Sequence, residues 1–151
     1  MARFDGSSTN LSGIHLWLIL MKAYGALAQF DARSIASSGL GNSDFAVLEI
    51  LLHKGPLPVN MIGRNVMLTS GSTTTAVDRL EKKQFVVRQA CAKDRRVTYV
   101  ALTPAGRTLI QRIFKTHAVQ LETVFEPLST AERSALATLL KKLGKHVESL
   151  L

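Results

Sequence analysis

Residues 69–103 read TSGSTTTAVDRLEKKQFVVRQACAKDRRVTYVALT, and this stretch decides the fold. Thr69 and Ser70 are small hydroxylated residues, which can cap a helix by accepting hydrogen bonds from its first free N–H groups. Thr73, Val77 and Leu80 then recur at i, i+4 and i+7, the spacing of one apolar stripe on a helix. The stretch therefore predicts a helix that begins at about Thr69.

The other side of this helix is short, polar and partly cationic. Hydroxyl groups and a guanidinium can use the donors and acceptors on base edges, whereas bulky apolar groups would waste them, so the face is typical of a helix that enters a DNA major groove. Some of the hydroxyls could cap the helix instead, and Gly71 fits either a close approach of backbone to phosphate or an ordinary helix start. The candidate DNA contacts are Ser70, Gly71, Ser72, Thr74, Thr75, Arg79 and Lys82.

Two runs rich in Val and aromatic residues follow, 85–90 and 97–102, separated by the sequence CAKDRR. This pattern predicts a β-hairpin with a cationic tip. Ser43 could cap a helix at 44–53, and Pro58 suits the first position of a short helix at 58–66 that carries Met61 inward. The order helix, helix, hairpin is that of a winged helix-turn-helix. The tip residues Lys93, Asp94, Arg95 and Arg96 are candidates for minor-groove or phosphate contacts, with Asp94 holding the Arg96 guanidinium; a solvated turn is the alternative.

Residues 68–106, LTSGSTTTAVDRLEKKQFVVRQACAKDRRVTYVALTPAG, resemble the core signature of the MarR family of bacterial transcriptional regulators. An Asp-x-Arg in the wing and a following Leu-Thr-x-x-Gly recur in that family, and here they are Asp94, Arg96, Leu102, Thr103 and Gly106. The resemblance spans about residues 12–151. It implies a homodimer on double-stranded DNA with a palindromic operator. It also implies a small aromatic or phenolic effector, bound between the dimerisation helices and the winged domain, that releases the DNA.

The charge distribution also favours a polyanionic partner. The chain carries a net charge of +8, and residues 60–107 hold nine basic and three acidic side chains, so three quarters of the net charge lies in under a third of the chain. Such clustering is typical of a nucleic-acid-binding surface. An interaction module that uses its basic face on an acidic protein is the alternative.

The rest of the chain is predicted to be helical, which gives a fold class of mainly α with a small β-hairpin wing. A polar, flexible tail is expected at 1–10, the winged helix-turn-helix at 43–103, and helices at 11–36 and 104–151. The apolar faces of those outer helices exceed what one winged domain needs, so we expect them to form a dimerisation region. A two-fold dimer would set two recognition helices roughly 34 Å apart, one DNA turn.

The family resemblance also implies an effector cleft. Trp17, Met21, Tyr24, Phe45, His53 and Phe114 could line it, with His15 or His117 as a polar handle, although each residue also fits an ordinary core position.

Cys91 is the only cysteine of the chain, so no internal disulfide can form, and we expect a cytoplasmic protein. The family's peroxide sensors carry a reactive cysteine near the start of the first helix, and this chain has none there. The surroundings of Cys91 are similar to those in a subgroup that responds to quinones and hydroquinones. Lys93, Arg95 or Arg96 could lower the thiol pKa and make Cys91 an electrophile sensor; a small buried strand residue is the alternative.

Several classes of function lack their signatures. The four histidines show no HxxxH or HExxH spacing, and the chain has no Gly-rich phosphate loop or GxSxG elbow, so we expect no metal site, no cofactor and no enzymatic activity. The apolar run at 16–21 superficially suggests a signal peptide, but Asp5 before it and Lys22 after it argue against secretion. No apolar run is long enough to span a membrane.

Overall fold

The chain folds into six helices and three short strands across residues 11–151, the part that this computed structural model describes. The tail predicted at 1–10 lies outside the described residues. The elements are α1 (Gly13–Ala36), α2 (Asn42–Lys54), β1 (Leu57–Pro58), α3 (Val59–Val66), α4 (Ser70–Lys82), β2 (Val86–Ala90), β3 (Thr98–Leu102), α5 (Pro104–Phe125) and α6 (Thr130–Glu148). The predicted fold class, mainly α with a small β wing, is confirmed.

Three helices begin where their capping residues predict. The Thr69 hydroxyl accepts a hydrogen bond from the Ser72 N–H at the start of α4, at 3.1 Å. Thr103 caps α5, with a proline next to it at the first helical position. At α6, Ser129 and Glu132 exchange side-chain and backbone hydrogen bonds as a capping box. Because each cap satisfies N–H groups within a few residues of itself, these boundaries can be predicted locally.

Three local expectations around α2 and α3 are wrong. Ser43 was expected to cap α2, but the N-cap is Gly41, and the Ser43 hydroxyl lies inside the helix, where it accepts a hydrogen bond from Arg79. Pro58 is the N-cap of α3 rather than its first helical residue. Met61, expected to point inward, is 39% exposed, because Ile62 fills the core and neighbouring helical residues point about 100° apart.

The sheet has three antiparallel strands in the order β1-β3-β2. β2 and β3 form the predicted hairpin, with Val86 opposite Leu102 and Ala90 opposite Thr98. β1 adds only Leu57 and Pro58 to the far edge of β3, a strand that the sequence analysis missed. The sheet ties the segment before α3 to the wing, so the helix-turn-helix and the wing form one unit.

The hydrophobic core lies within this winged unit. α2, α3, α4, the sheet and the first half of α5 supply nearly all of its side chains, while α1 contributes Ile35 from its C-terminal end. The predicted stripe on α4 is confirmed, since Thr73, Val77 and Leu80 are fully buried. The remaining members of the core include Phe45, Val47, Leu48, Leu51, Ile62, Ala76, Val86, Val100, Ile110 and Ile113.

The outer helices leave their apolar side chains uncovered. α6 buries none of its residues, and α1 buries only Ser34 and Ile35. Within residues 11–151, no helix is both long enough and apolar enough to cross a membrane. The exposed apolar residues of the two helices include Ile14, Leu16, Trp17, Leu18, Ile19, Leu20, Met21 and Tyr24 on α1, and Leu136, Leu139, Leu140, Leu143 and Val147 on α6.

Candidate nucleic-acid interface

The recognition helix α4 divides into a buried side and an exposed side. The buried side holds Thr73, Ala76, Val77 and Leu80. Every residue on α4 that the sequence analysis proposed for DNA contact is exposed: Ser70, Gly71, Ser72, Thr74, Thr75, Arg79 and Lys82. Because most of these side chains are short, the backbone of α4 could approach a DNA groove closely.

The hydroxyl groups on the exposed side of α4 differ in which hydrogen bonds they can still form. Thr75 donates to the Gly71 carbonyl at 2.9 Å, so only its oxygen lone pairs remain for DNA. Ser72 accepts from the Thr69 hydroxyl, which leaves its own proton free to donate. Within residues 11–151, the Ser70 and Thr74 hydroxyls bond to no other protein group. The helix therefore offers both donors and acceptors to base edges and phosphates.

Arg79 is anchored to α2 by a carboxylate that the sequence analysis missed. Its Nη2 donates to Asp44 Oδ1 at 2.6 Å and its Nε to the same oxygen at 3.2 Å, while Nη2 also reaches Ser43 Oγ at 3.2 Å. Hydrogen bonding to Asp44, and then its charge, raises the pKa of Arg79 above its usual value. Asp44 is only 4% exposed, so this pair fixes the direction of the guanidinium and joins α4 to α2.

The tip of the wing is closed by the predicted pair. Asp94 Oδ1 accepts the Arg96 N–H at 3.0 Å and the Arg96 Nε at 3.2 Å, and the first of these bonds is the main cause of a lowered Asp94 pKa. Because the Asp94 pKa is lowered, ionised Asp94 stabilises the folded wing tip at neutral pH. This stabilisation is lost as the pH falls through the Asp94 pKa. Arg96 remains 90% exposed, and Lys93 and Arg95 are also exposed, so three cations project from the tip.

Arg88 on β2 holds the wing against the recognition helix. Its Nη2 donates to Asp78 Oδ1 at 2.6 Å, its Nη1 donates to Glu81, and its backbone N–H donates to the same carboxylate at 3.3 Å. Hydrogen bonding to Asp78 is the largest cause of a raised Arg88 pKa. In the sequence, Arg88, Asp78 and Glu81 could be counted only as charges, because no local pattern predicts that their side chains make contact.

Arg88→Met is expected to lower the free energy of unfolding by about 1–2 kcal/mol, because it removes two partly exposed ion pairs and keeps an unbranched apolar stem in place of the aliphatic part of the side chain. It should also weaken DNA binding, since the wing loses its fixed position relative to α4. Urea unfolding and fluorescence anisotropy measure the two effects. Lys115→Met, on the exposed surface of α5, is the control and should change neither quantity appreciably. An unchanged stability and affinity for Arg88→Met would show that the contact does not position the wing.

A close approach of α3 and α4 sets the geometry of the helix-turn-helix. A Cβ atom on Gly63 would lie 2.9 Å from Thr73 Oγ1, so a larger residue would push the two helices apart. Beside this contact, the exposed Arg64 lines a surface depression of about 440 Å³ that also includes Ser70. Arg64 thus extends the cationic surface past the start of α4. In the sequence, Arg64 could be recognised only as one of the basic residues of the segment 60–107.

The comparisons with known proteins agree with this geometry. A model of the MarR family matches residues 40–98, which run from the loop before α2 into the wing. The HTH-type transcriptional regulator MhqR of Bacillus subtilis is 37% identical over 135 residues, covering 89% of this chain and 93% of the relative.

The chain belongs to the MarR family of transcriptional regulators.

Two solved structures of regulatory proteins are similar to the fold of this chain. A probable transcriptional regulator from Pseudomonas aeruginosa has a TM-score of 0.71 at 31% identity, covering 83% of this chain and 94% of that one. Bordetella bronchiseptica BpsR, whose DNA binding is described as regulated by 6-hydroxynicotinic acid, has a TM-score of 0.75 at 25% identity, covering 86% and 98%. The chain is accordingly a DNA-binding transcriptional regulator of the MarR family, and the matched relatives are transcriptional regulators.

The residues proposed for a MarR effector cleft fall into two separate groups. Phe45 meets His117 edge to face, with ring centres 4.8 Å apart, and His53 meets Phe114 in the same way at 4.7 Å. These ring contacts, between α2 and α5, are the two found within residues 11–151. The other four candidates lie on α1, where Trp17, Met21 and Tyr24 are exposed and His15 is half-buried.

Cys91 lies at the base of the wing tip of this MarR protein. It is half-buried, and its backbone N–H donates to the Val97 carbonyl at 2.9 Å, which continues the hairpin beyond β2. Among residues 11–151 there is no group of three His, Cys, Asp or Glu side chains that could hold a metal ion. The thiol-sensor interpretation of Cys91 stays a prediction.

Proposed function

We propose that this protein is a homodimeric, sequence-specific repressor that binds a palindromic operator in the cytoplasm and is released by a small aromatic or phenolic effector. The observation that carries the homodimer is the uncovered apolar surface of α1 and α6. On α6, Leu139 is 63% and Leu143 49% exposed, and Trp17 on α1 is 56% exposed. Exposed apolar patches of this extent are typical of protein–protein interfaces, and a two-fold dimer covers the same patch on both copies.

The recognition surface supports sequence-specific DNA binding. The hydroxyl row of α4 and the anchored Arg79 would read base edges in the major groove, while the wing cations would contact the minor groove or phosphates. Exposed Lys and Arg side chains supply an affinity that falls steeply with added salt. With two copies, the recognition helices would lie roughly 34 Å apart and match a palindrome.

An aromatic effector is supported by the ring pairs between α2 and α5 and by the behaviour described for BpsR. Phe45, His53, Phe114 and His117 place two aromatic contacts beside the core of the winged unit. An effector that enters there, together with α1 side chains, would change how α1 and α5 pack against α2. It could release DNA only by binding the DNA-free geometry of the dimer more tightly than the DNA-bound one.

The decisive experiment is binding of the purified protein to its own upstream intergenic DNA across a salt series, with and without phenols, aromatic carboxylates and quinones. Tight, salt-dependent binding to a palindrome that one class of compound releases is the expected result. Release by quinones that disappears in Cys91→Ser, with DNA binding intact, would support the thiol sensor instead. Absence of salt-dependent DNA binding would favour an interaction module for an acidic protein.

Arg95→Gln and Arg96→Gln are each expected to weaken operator binding several-fold and to lower the slope of log affinity against log salt by about one, because each removes one cation from a phosphate or groove contact. The measurement is fluorescence anisotropy at four or more salt concentrations. Lys115→Gln removes the same charge from α5 and serves as the control. An equal loss in all three variants would mean that only net charge matters and that the wing does not touch DNA.

A further inference from the structure

Two residues of α2 accept hydrogen bonds from the guanidinium of Arg79, which lies on the exposed side of α4. Asp44 Oδ1 accepts from Nη2 at 2.6 Å and from Nε at 3.2 Å, and Ser43 Oγ accepts from Nη2 at 3.2 Å. The Arg79 side chain is nevertheless 46% exposed, whereas Asp44 is buried. The guanidinium therefore lies at the surface with part of its hydrogen-bonding capacity already used.

The donors that remain on Arg79 follow from the shape of a guanidinium. Its N–H groups form two edges with a parallel pair each, Nε with Nη2 and Nη1 with Nη2. Asp44 occupies the first edge. Nη2 has two protons and two acceptors, so its second proton, which belongs to the other edge, goes to Ser43. Within residues 11–151, no group accepts from Nη1, and the two N–H groups of Nη1 point in different directions. Arg79 therefore keeps no complete edge.

An incomplete edge limits which bases Arg79 can distinguish. The commonest specific contact of arginine with DNA places two parallel N–H groups on O6 and N7 of guanine. Adenine offers the acceptor N7 and thymine the acceptor O4 in the same groove, and a single N–H group can donate to any of these atoms. When only Nη1 donates, guanine loses the advantage of its second acceptor.

We propose that Asp44 and Ser43 are positioning residues that restrict Arg79 to a single base acceptor and so remove its preference for guanine. The inference rests on the proposed function, in which α4 enters a major groove. Asp44 fixes the direction of the guanidinium through two charge-assisted hydrogen bonds. Ser43 decides the specificity, because loss of its hydroxyl restores the pair of Nη1 and Nη2 while Asp44 still holds the other edge. A residue outside the recognition helix thus controls which base is read.

The test is selection of binding sites from a random duplex DNA library by the full chain, with the base preference at each position read by sequencing. Arg79→Gln identifies the base pair under Arg79, because the preference there should change most. In the unaltered protein, guanine at that base pair is expected to be favoured over adenine by no more than about twofold. Ser43→Ala is expected to raise this ratio about five- to tenfold, because guanine gains a second hydrogen bond from the same side chain.

Two further variants separate positioning from a structural role. Ser43→Thr keeps a hydroxyl and is the matched control, so it should keep the base preference of the unaltered protein. Ser43→Ala should fold, since alanine is favourable inside a helix. Asp44→Leu, with its fold checked by circular dichroism, frees both edges of Arg79. It should also gain a preference for guanine, but with lower overall affinity because the guanidinium loses its fixed direction.

Three outcomes would overturn the proposal. One is a loss of affinity in Ser43→Ala that is equal for all sequences, which would show a structural role only. Another is a preference for guanine of about tenfold or more in the unaltered protein, since that requires a two-pronged contact. The last is a uniform loss of affinity in Arg79→Gln, which would place Arg79 on a phosphate rather than a base. Selection of no common sequence by the unaltered protein is a different result, and it would reject the proposed function along with this inference.

Discussion

Gly106→Ala is expected to lower the free energy of unfolding by about 2–4 kcal/mol. A Cβ atom at this position would lie 1.9 Å from the Phe85 carbonyl oxygen and 2.8 Å from its carbon. That oxygen accepts the Thr103 N–H at 3.1 Å, so the strand entry and the start of α5 are joined there. Both sides of the contact are backbone, and no side-chain rotation can relieve the clash.

Urea unfolding of Gly106→Ala against the unaltered protein measures this loss. Gly71→Ala is the matched control, because no atom lies within 4 Å of the position that its Cβ would take and the substitution should leave stability within about 1 kcal/mol. A Gly106→Ala protein as stable as the control would show that the backbone there can shift without cost. The same contact gives a physical reason for the glycine in the Leu-Thr-x-x-Gly pattern of MarR proteins.

Leu143→Asp on α6 is expected to convert the proposed dimer into monomers and to reduce operator affinity at least a hundredfold. In a two-fold interface the substitution occurs on both copies, so two carboxylates would lose water together, at a cost of several kcal/mol. A monomer binds one half-site only, and every 1.4 kcal/mol of lost binding energy is tenfold in affinity.

Light scattering after gel filtration gives the mass, and anisotropy on the operator gives the affinity. Lys145→Asp places the same side chain about 200° further round the helix, away from the apolar stripe, and should leave the mass unchanged. Should Leu143→Asp keep both the mass and the affinity of the unaltered protein, the uncovered face of α6 would not be the interface.

Sequence reasoning was most accurate where the deciding interactions are local. The start of α4 at Thr69 depends on a bond to Ser72, and the capping box at Ser129 depends on Glu132, each three residues away. The α4 stripe and the β2–β3 hairpin are likewise read from short periodic patterns. These features were enough to predict the winged helix-turn-helix and the exposed face of its recognition helix.

Contacts between distant residues could not be read in this way. The Asp44–Arg79 pair joins residues 35 apart in sequence, and the partners of Arg88 become visible only after the hairpin folds onto α4. β1 has two residues, too few for a period-two pattern. Ser43 was misplaced because a hydroxyl near a helix start suggests a cap, whereas here a distant guanidinium uses it.

Helix α5 connects the core of the winged unit to the outer helices. Its 22 residues span about 33 Å, with Ile110 and Ile113 fixed in the winged core and His117 held against α1. His117 lies about 20 Å from the start of α5, so a tilt of about 6° about that contact would move the start of the helix by about 2 Å. In the repressor proposed above, a change of packing at α1 would reach the DNA-contacting surface through such a tilt of α5.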